Sequence, residues 1–172
     1  LEPLPSRYKT FVPNGLLEHA DAGWLASSRG KFDWCVVLDA SEPGRLGDLR
    51  QVVFADGQKR LCIDHHVYEG QGHVHEGRGL YEHHLVVPEA PATGNLVLAF
   101  IDALHVQLDR DMARALWLAV SSDTGWFRFS NTSPMALQNA SRLLAVGLDP
   151  EALYSEVYGS HSLGRTRLLG GI

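Results

Sequence analysis

Cysteine is scarce in this chain of 172 residues: Cys35 and Cys62 are the only two. Two thiols make no disulfide framework, and both lie inside apolar runs, so buried free thiols in a reducing compartment are expected. No apolar run is long enough to span a bilayer, and no leader with a basic start and an apolar middle is visible. A cytoplasmic setting without membrane partners is the expectation. Positive charge is not in excess: 15 Lys and Arg face 20 Asp and Glu, a net charge of −5. That argues against a broad cationic surface for long duplex nucleic acid, and leaves open a phosphate-bearing substrate held through a metal. There is no internal repeat and no low-complexity tract. There is no initial methionine either. The chain runs from Leu1 to Gly170-Gly171-Ile172 and reads as a piece of something longer.

What is present is ordinary globular material, 45% hydrophobic and 20% charged, enough for one domain with a real core. Residues 1–15 are rich in Pro and Gly and predict an extended lead-in. A short helix is expected within 16–28, a buried strand at about Trp34–Leu38, a helix over 45–54 and a second strand from Arg60 to Ile63. Continuous apolar strands of this kind suit a parallel sheet covered on both faces. Residues 67–90 predict a long loop with one short strand at Leu85–Val87. After it the chain turns helical. Pro91 can open a helix through Ala103 and Leu104. Asp109 caps the next, Ser133-Pro134 starts another that Gly147 stops, and Asp149-Pro150 starts one through about Tyr158. The fold class predicted is α/β, a parallel sheet flanked by helices with a helix-rich second half.

The chemistry concentrates at strand ends. "LCIDHH" (61–66) runs from apolar residues straight into an acid and two histidines, and Asp39 closes the first strand in the same way. In an open α/β sheet, ligands bind outside the carboxyl ends of the strands. Asp123, after a strongly apolar helix and before Thr124-Gly125, is a third candidate for that rim. Carboxylates gathered there repel one another unless something compensates. A divalent cation does so, and mixed carboxylate and imidazole donors suit manganese, iron or zinc. Metal-assisted phosphoester hydrolysis needs such a set.

Four stretches together are specific: "DHH" at 64–66, "VVLDASEPGRLG" around Asp39, "APATGNLVLAFIDAL", and "ALWLAVSSDTGWFRFSNTSPMALQNASRLLAVGLDP" around Asp123. They resemble the DHH phosphoesterase superfamily over roughly residues 33–172, nearest to its bacterial oligoribonuclease and 3′-phosphoadenosine-5′-phosphate phosphatase subgroup. The resemblance implies that Asp39 bridges two manganese ions (magnesium or another divalent ion being the alternative), that His65 and Asp123 are metal ligands, and that His66 contacts the scissile phosphate. It implies a small nucleotide or short oligonucleotide as substrate. Asp64 is expected behind the histidines, orienting them by hydrogen bond.

The resemblance also marks departures. The family's first motif, a His followed by Asp-x-Asp, is not found in the 38 residues before Asp39; His19-Ala20-Asp21 is a poor stand-in. The family's C-terminal lobe is absent as well. Residues 1–160 are therefore expected to be a partial DHH domain, and 161–172 the start of a linker helix toward a substrate-binding domain. With about half the ligands, the fragment is expected to be inactive alone.

Other residues have two readings each. Arg128 binds phosphate or a base, or pairs with an acid; Asn131 joins it as a substrate-binding candidate, or fixes the loop by Asx-type bonds. Arg45 helps to hold the loop that presents Asp39. Trp117 is core. Trp126 or Phe127 lines the substrate pocket or packs the core. His73, His75, His83 and His84 form a second metal site, "HVH" placing two rings on one strand face, or are solvated. A homodimer is one arrangement to test. Against the phosphoesterase stand a non-catalytic nucleotide- or metal-binding module, and, within the superfamily, a single-strand exonuclease, a cyclic dinucleotide phosphodiesterase and a polyphosphatase.

Overall fold

In the computed structural model, the described residues are 4–66, 80–159 and 171. Three short strands form a parallel sheet in the order β1-β2-β3: β1 is Trp34–Leu38, β2 Lys59–Asp64 and β3 His83–Val86. The register sets Leu38 beside Ile63, and Ile63 beside Leu85. The strands therefore finish nearly level, and their carboxyl ends share a common edge. Parallel neighbours need crossover connections. The strand expected to be buried at Trp34–Leu38 is so only at Val37: Trp34, Val36 and Leu38 are exposed, so one face of β1 lies open.

On one face Val37 and Cys62 pack with Val53 and Tyr81, edged by Cys35, Leu46 and Phe54. On the other, Ile63 packs with Ala90 and Leu96, the latter from helix α3 (Thr93–Ala103). The larger core lies beyond α3. There Leu98 meets Leu116 and Trp117 of α4 (Arg110–Asp123), Leu143 of α5 (Pro134–Leu144), and Leu153 and Val157 of α6 (Pro150–Tyr158). Trp117 is core, as its spacing predicts. The predicted caps hold: Asp109 accepts from Met112 N–H, Ser133 from Ala136 N–H, and Asp149 from the N–H groups of Glu151 and Ala152. Each satisfies orphan donors in a first helical turn.

Several expectations are corrected. The lead-in is not extended throughout: Ser6–Phe11 is a 3₁₀ turn, and Phe11 is buried in the helical core. The short helix expected within 16–28 is present as α1, Ala22–Ser28, which Asp21 caps by accepting from Trp24 N–H. The helix expected over 45–54 is broken by Gly47, whose φ of 52° and ψ of −132° are not helical; a 3₁₀ stretch (Pro43–Leu49) precedes a single turn, α2 (Arg50–Val53). Pro91 does not open α3, whose N-cap is Ala92. The third strand sits two residues earlier than expected at its start. Cys62 is buried, but Cys35 only partly. The "HVH" segment and the expected linker helix lie outside the described residues.

Arg114 of α4 ties the lead-in to the helices. It donates to Thr10 O and to both Glu156 oxygens, and its guanidinium lies 5.1 Å from the Phe11 ring centroid. The bond from Arg114 holds the Glu156 carboxyl below its usual pKa, against the opposing effect of burial. A depressed carboxylate contributes stability that is full above the unfolded glutamate pKa of about 4.3 and is lost as pH falls through the lower folded value. Glu156→Gln should lower stability near neutrality by about 1 kcal/mol or less and flatten the acid limb below about pH 4; urea melts across pH check it. Closer to the sheet, a Cβ on Gly94 would sit 2.9 Å from Ala119 Cβ and 3.3 Å from Val120 Cγ2. Gly94→Val should therefore push α3 off α4 and destabilise by about 1–3 kcal/mol, read as a lower midpoint in the same melts.

Candidate metal centre

Asp64 is the last residue of β2 and is fully buried. Its carboxylate gathers four donors. Oδ2 accepts from Ser41 N–H at 2.7 Å; Oδ1 accepts from His65 N–H at 2.7 Å, His66 N–H at 3.0 Å and His66 Nδ1 at 2.8 Å. Burial alone would raise its pKa, but the donors of His66 and Ser41 outweigh it and hold the carboxyl well below the usual range. One buried anion thus fixes the backbone after β1, the backbone after β2 and the tautomer of His66. The expectation that Asp64 stands behind the histidines fits this geometry.

Asp39 follows β1 and continues its ladder, donating N–H to Ile63 O at 3.0 Å. Its φ is +61°, a left-handed conformation that Asp tolerates better than most residues. That turn sets the carboxylate at the sheet edge, where Oδ1 accepts from Thr93 Oγ1 at 2.6 Å. Thr93 is the first residue of α3, so this bond fastens the helix start to the strand end. Sequence reasoning missed it; the Thr at the opening of the "ATGNLV" helix was the signal available. His65 Nδ1 lies 3.1 Å from Ala90 O, which fixes Nδ1 as donor and turns Nε2 inward. Nε2 lies 3.6 Å from Asp39 Oδ1 and 3.5 Å from Asp123 Oδ2.

Asp123 is the final residue of α4. A carboxylate is unfavourable at a helix C-terminus, and here it is half-buried besides. Burial raises its pKa, the Asp39 carboxylate raises it further, and His65 and His66 oppose both. Behind it the chain makes an uncommon turn: Gly125, Trp126 and Phe127 have φ of 56°, 56° and 62°. Strain of this kind amounts to about 1–3 kcal/mol per non-glycine residue and persists where surrounding contacts impose it. Arg128 Nε donates to Gly125 O at 2.8 Å. The Asn131 amide donates to Pro91 O and to Asp123 O, both at 3.0 Å, bracing the loop against the approach to α3. Phe127 packs on Trp117 at 5.5 Å between centroids.

The residues present fit a divalent cation. Asp39, His65 and His66 offer donor atoms that all lie within 4.8 Å of one another; Asp123 falls outside that group, although its Oδ2 lies 3.5 Å from His65 Nε2. Separations of 3.5–3.6 Å are long for N–H···O bonds. They suit donors that share one ion at about 2.1 Å each. No such group includes His83 or His84 among the described residues; His83 stacks on Trp34 at 5.8 Å. His73 and His75 lie outside the described residues.

No family model matches the chain. It is similar to the bifunctional oligoribonuclease and PAP phosphatase NrnA of Thermus thermophilus, with 33% identity over 114 residues, 66% of this chain and 31% of that protein. The chain therefore spans about a third of the length of this curated relative. Among solved structures, an exopolyphosphatase-related protein from Bacteroides fragilis superposes with a TM-score of 0.72 at 25% identity, over 81% of this chain and 39% of that one. A candidate family II inorganic pyrophosphatase of Methanococcus jannaschii gives a TM-score of 0.51 at 21% identity, over 75% and 42%, and shares the fold alone. The expected α/β fold and the resemblance read from the motifs are both borne out.

Asp64→Asn removes the charge and turns one acceptor into a donor facing N–H groups. Mn²⁺ affinity should fall by about 10–100-fold, as for other groups that orient ligands, measured by electron paramagnetic resonance of free Mn²⁺.

Proposed function

We propose that this chain, which belongs to the DHH superfamily, forms the metal-binding part of a divalent-metal-dependent phosphoesterase. The observation that carries the reading is the approach of Asp39 and Asp123 to His65 Nε2, at 3.6 and 3.5 Å, with His66 in one donor cluster with Asp39 and His65. Asp39, His65 and Asp123 hold the ion, and the mixed donor set suits manganese, with magnesium the alternative. When bound, such an ion supplies positive charge to the phosphoester and acidifies a water for in-line attack. His66 has Nδ1–H bonded to Asp64, which directs its Nε2 to the scissile phosphate. Arg128 presents its terminal nitrogens to a phosphate, while Asn131 acts on the site through the loop it braces.

The substrate class is a small nucleotide or very short oligonucleotide, 3′-phosphoadenosine-5′-phosphate included. The similarity to a protein named for oligoribonuclease and PAP phosphatase activity supports it. A polyphosphate chain is the second reading, favoured by the likeness to an exopolyphosphatase-related protein. In this account residues 1–160 are a partial DHH domain and 161–172 lead toward a substrate-binding domain. Two free cysteines agree with a cytoplasmic setting, and no helix among the described residues is long and apolar enough to cross a membrane.

The test uses the gene-length protein with Mn²⁺ and three substrates: 3′-phosphoadenosine-5′-phosphate, a diribonucleotide and polyphosphate. Turnover of either nucleotide that falls by about 10³-fold or more in His65→Ala supports the reading. Turnover of polyphosphate alone moves it to the second. A folded, manganese-loaded protein inert on all three points to a non-catalytic binding module.

A further inference from the structure

Resting on the metal-centre reading, we infer that Trp126, Tyr154 and Tyr158 are positioning residues for Asp123. Their packing fixes the left-handed turn that keeps its carboxylate beside Asp39 and His65.

Asp123 needs holding. It ends a helix, where the last carbonyls lack intrahelical partners and the chain frays, and it faces a second carboxylate. On its carboxyl-terminal side the restraint is the turn itself. Trp126 N–H returns to Ser121 O at 2.6 Å, and the N–H groups of Arg128 and Phe129 both return to Thr124 O, at 2.9 and 3.0 Å. These bonds require the left-handed backbone of residues 125–127. Phe127 has an evident reason to accept it, since its ring joins the core on Trp117. Trp126 has another. Its ring lies 5.0 Å from Tyr154 and 5.7 Å from Tyr158, edge to face in both cases, a favourable arrangement for aromatic pairs. Its Nε1–H donates to Tyr158 Oη at 3.0 Å. Tyr154 and Tyr158 are 51% and 36% exposed. Core burial therefore does not account for them, and the indole N–H finds its acceptor outside the core. Helix α6 in turn is fixed to α4 by Arg114 and Glu156. A closed path runs from α4 through the turn to α6 and back, with Asp123 at its corner.

The measurement is Mn²⁺ affinity of the 172-residue chain, with its melting midpoint and the ¹³C shift of the Asp123 carboxyl in the metal-free state. Tyr158→Phe and Trp126→Phe each delete the indole–hydroxyl bond while keeping a ring. The expected result is an affinity loss of about tenfold in each, less than additive in the double variant because both remove the indole–hydroxyl bond, with a moved carboxyl shift in each and an unchanged midpoint in Tyr158→Phe, which keeps the ring contacts. A lowered midpoint with affinity and shift unchanged would show a merely structural cluster and overturn the inference, as would no change in any readout. Wild type and His65→Ala separate the two claims. A wild type that ignores Mn²⁺ refutes the metal reading, and the metal-free carboxyl shift then decides the positioning claim by itself.

Discussion

A single buried carboxylate organises the edge of this sheet. Asp64 is out of contact with solvent, and a lone anion there would be costly. Four donors compensate it, three of them backbone or ring groups of His65 and His66, the residues that present the site. The compensation works in both directions. The anion is kept charged by its donors, and the donors are kept in place by the anion. Ser41 belongs to the segment after β1, and His65 and His66 to the segment after β2, so one side chain sets the spacing between two strand ends.

Around that anchor the structure assembles an electrostatic problem that it does not solve with protein groups alone. Asp39 and Asp123 both face His65 Nε2, and the His65 ring is turned inward by the Ala90 carbonyl. Asp123 also sits at the negative end of α4. Each feature disfavours a bare carboxylate, and together they favour a cation. The rigidity comes from elsewhere: the Thr93 hydroxyl on Asp39, the Asn131 amide on Asp123 O, and the left-handed turn behind it. A site held this firmly loses little freedom when an ion enters, the condition for tight and selective binding.

Much of this was legible in the sequence. The strands were readable because parallel strands are apolar on both faces. The caps were readable because a helix start needs Asp or Ser at a fixed place. The site candidates were readable because acids and histidines stood where apolar runs stop. What was not legible depended on distant partners. Nothing local to Phe11 says that its ring enters the helical core, so a Pro- and Gly-rich lead-in read as extended. Nothing local to Thr93 says that its hydroxyl meets Asp39, 54 positions earlier. Gly47 breaks its helix by a backbone angle that composition does not reveal. The strained conformations of Trp126 and Phe127 are invisible in sequence because bulky residues seldom adopt them, and only the packing on Trp117, Tyr154 and Tyr158 explains why they do here.

The central claim is that Asp39, His65 and Asp123 are ligands at one divalent-metal centre. Anomalous diffraction from crystals of this chain grown with Mn²⁺, recorded on both sides of the manganese absorption edge, tests it directly. The account predicts an edge-dependent peak within about 2.0–2.3 Å of His65 Nε2 and of a carboxylate oxygen of Asp39 or Asp123. No peak at the cluster, or a peak bound by other residues while His65 Nε2 stays clear of it, would contradict it.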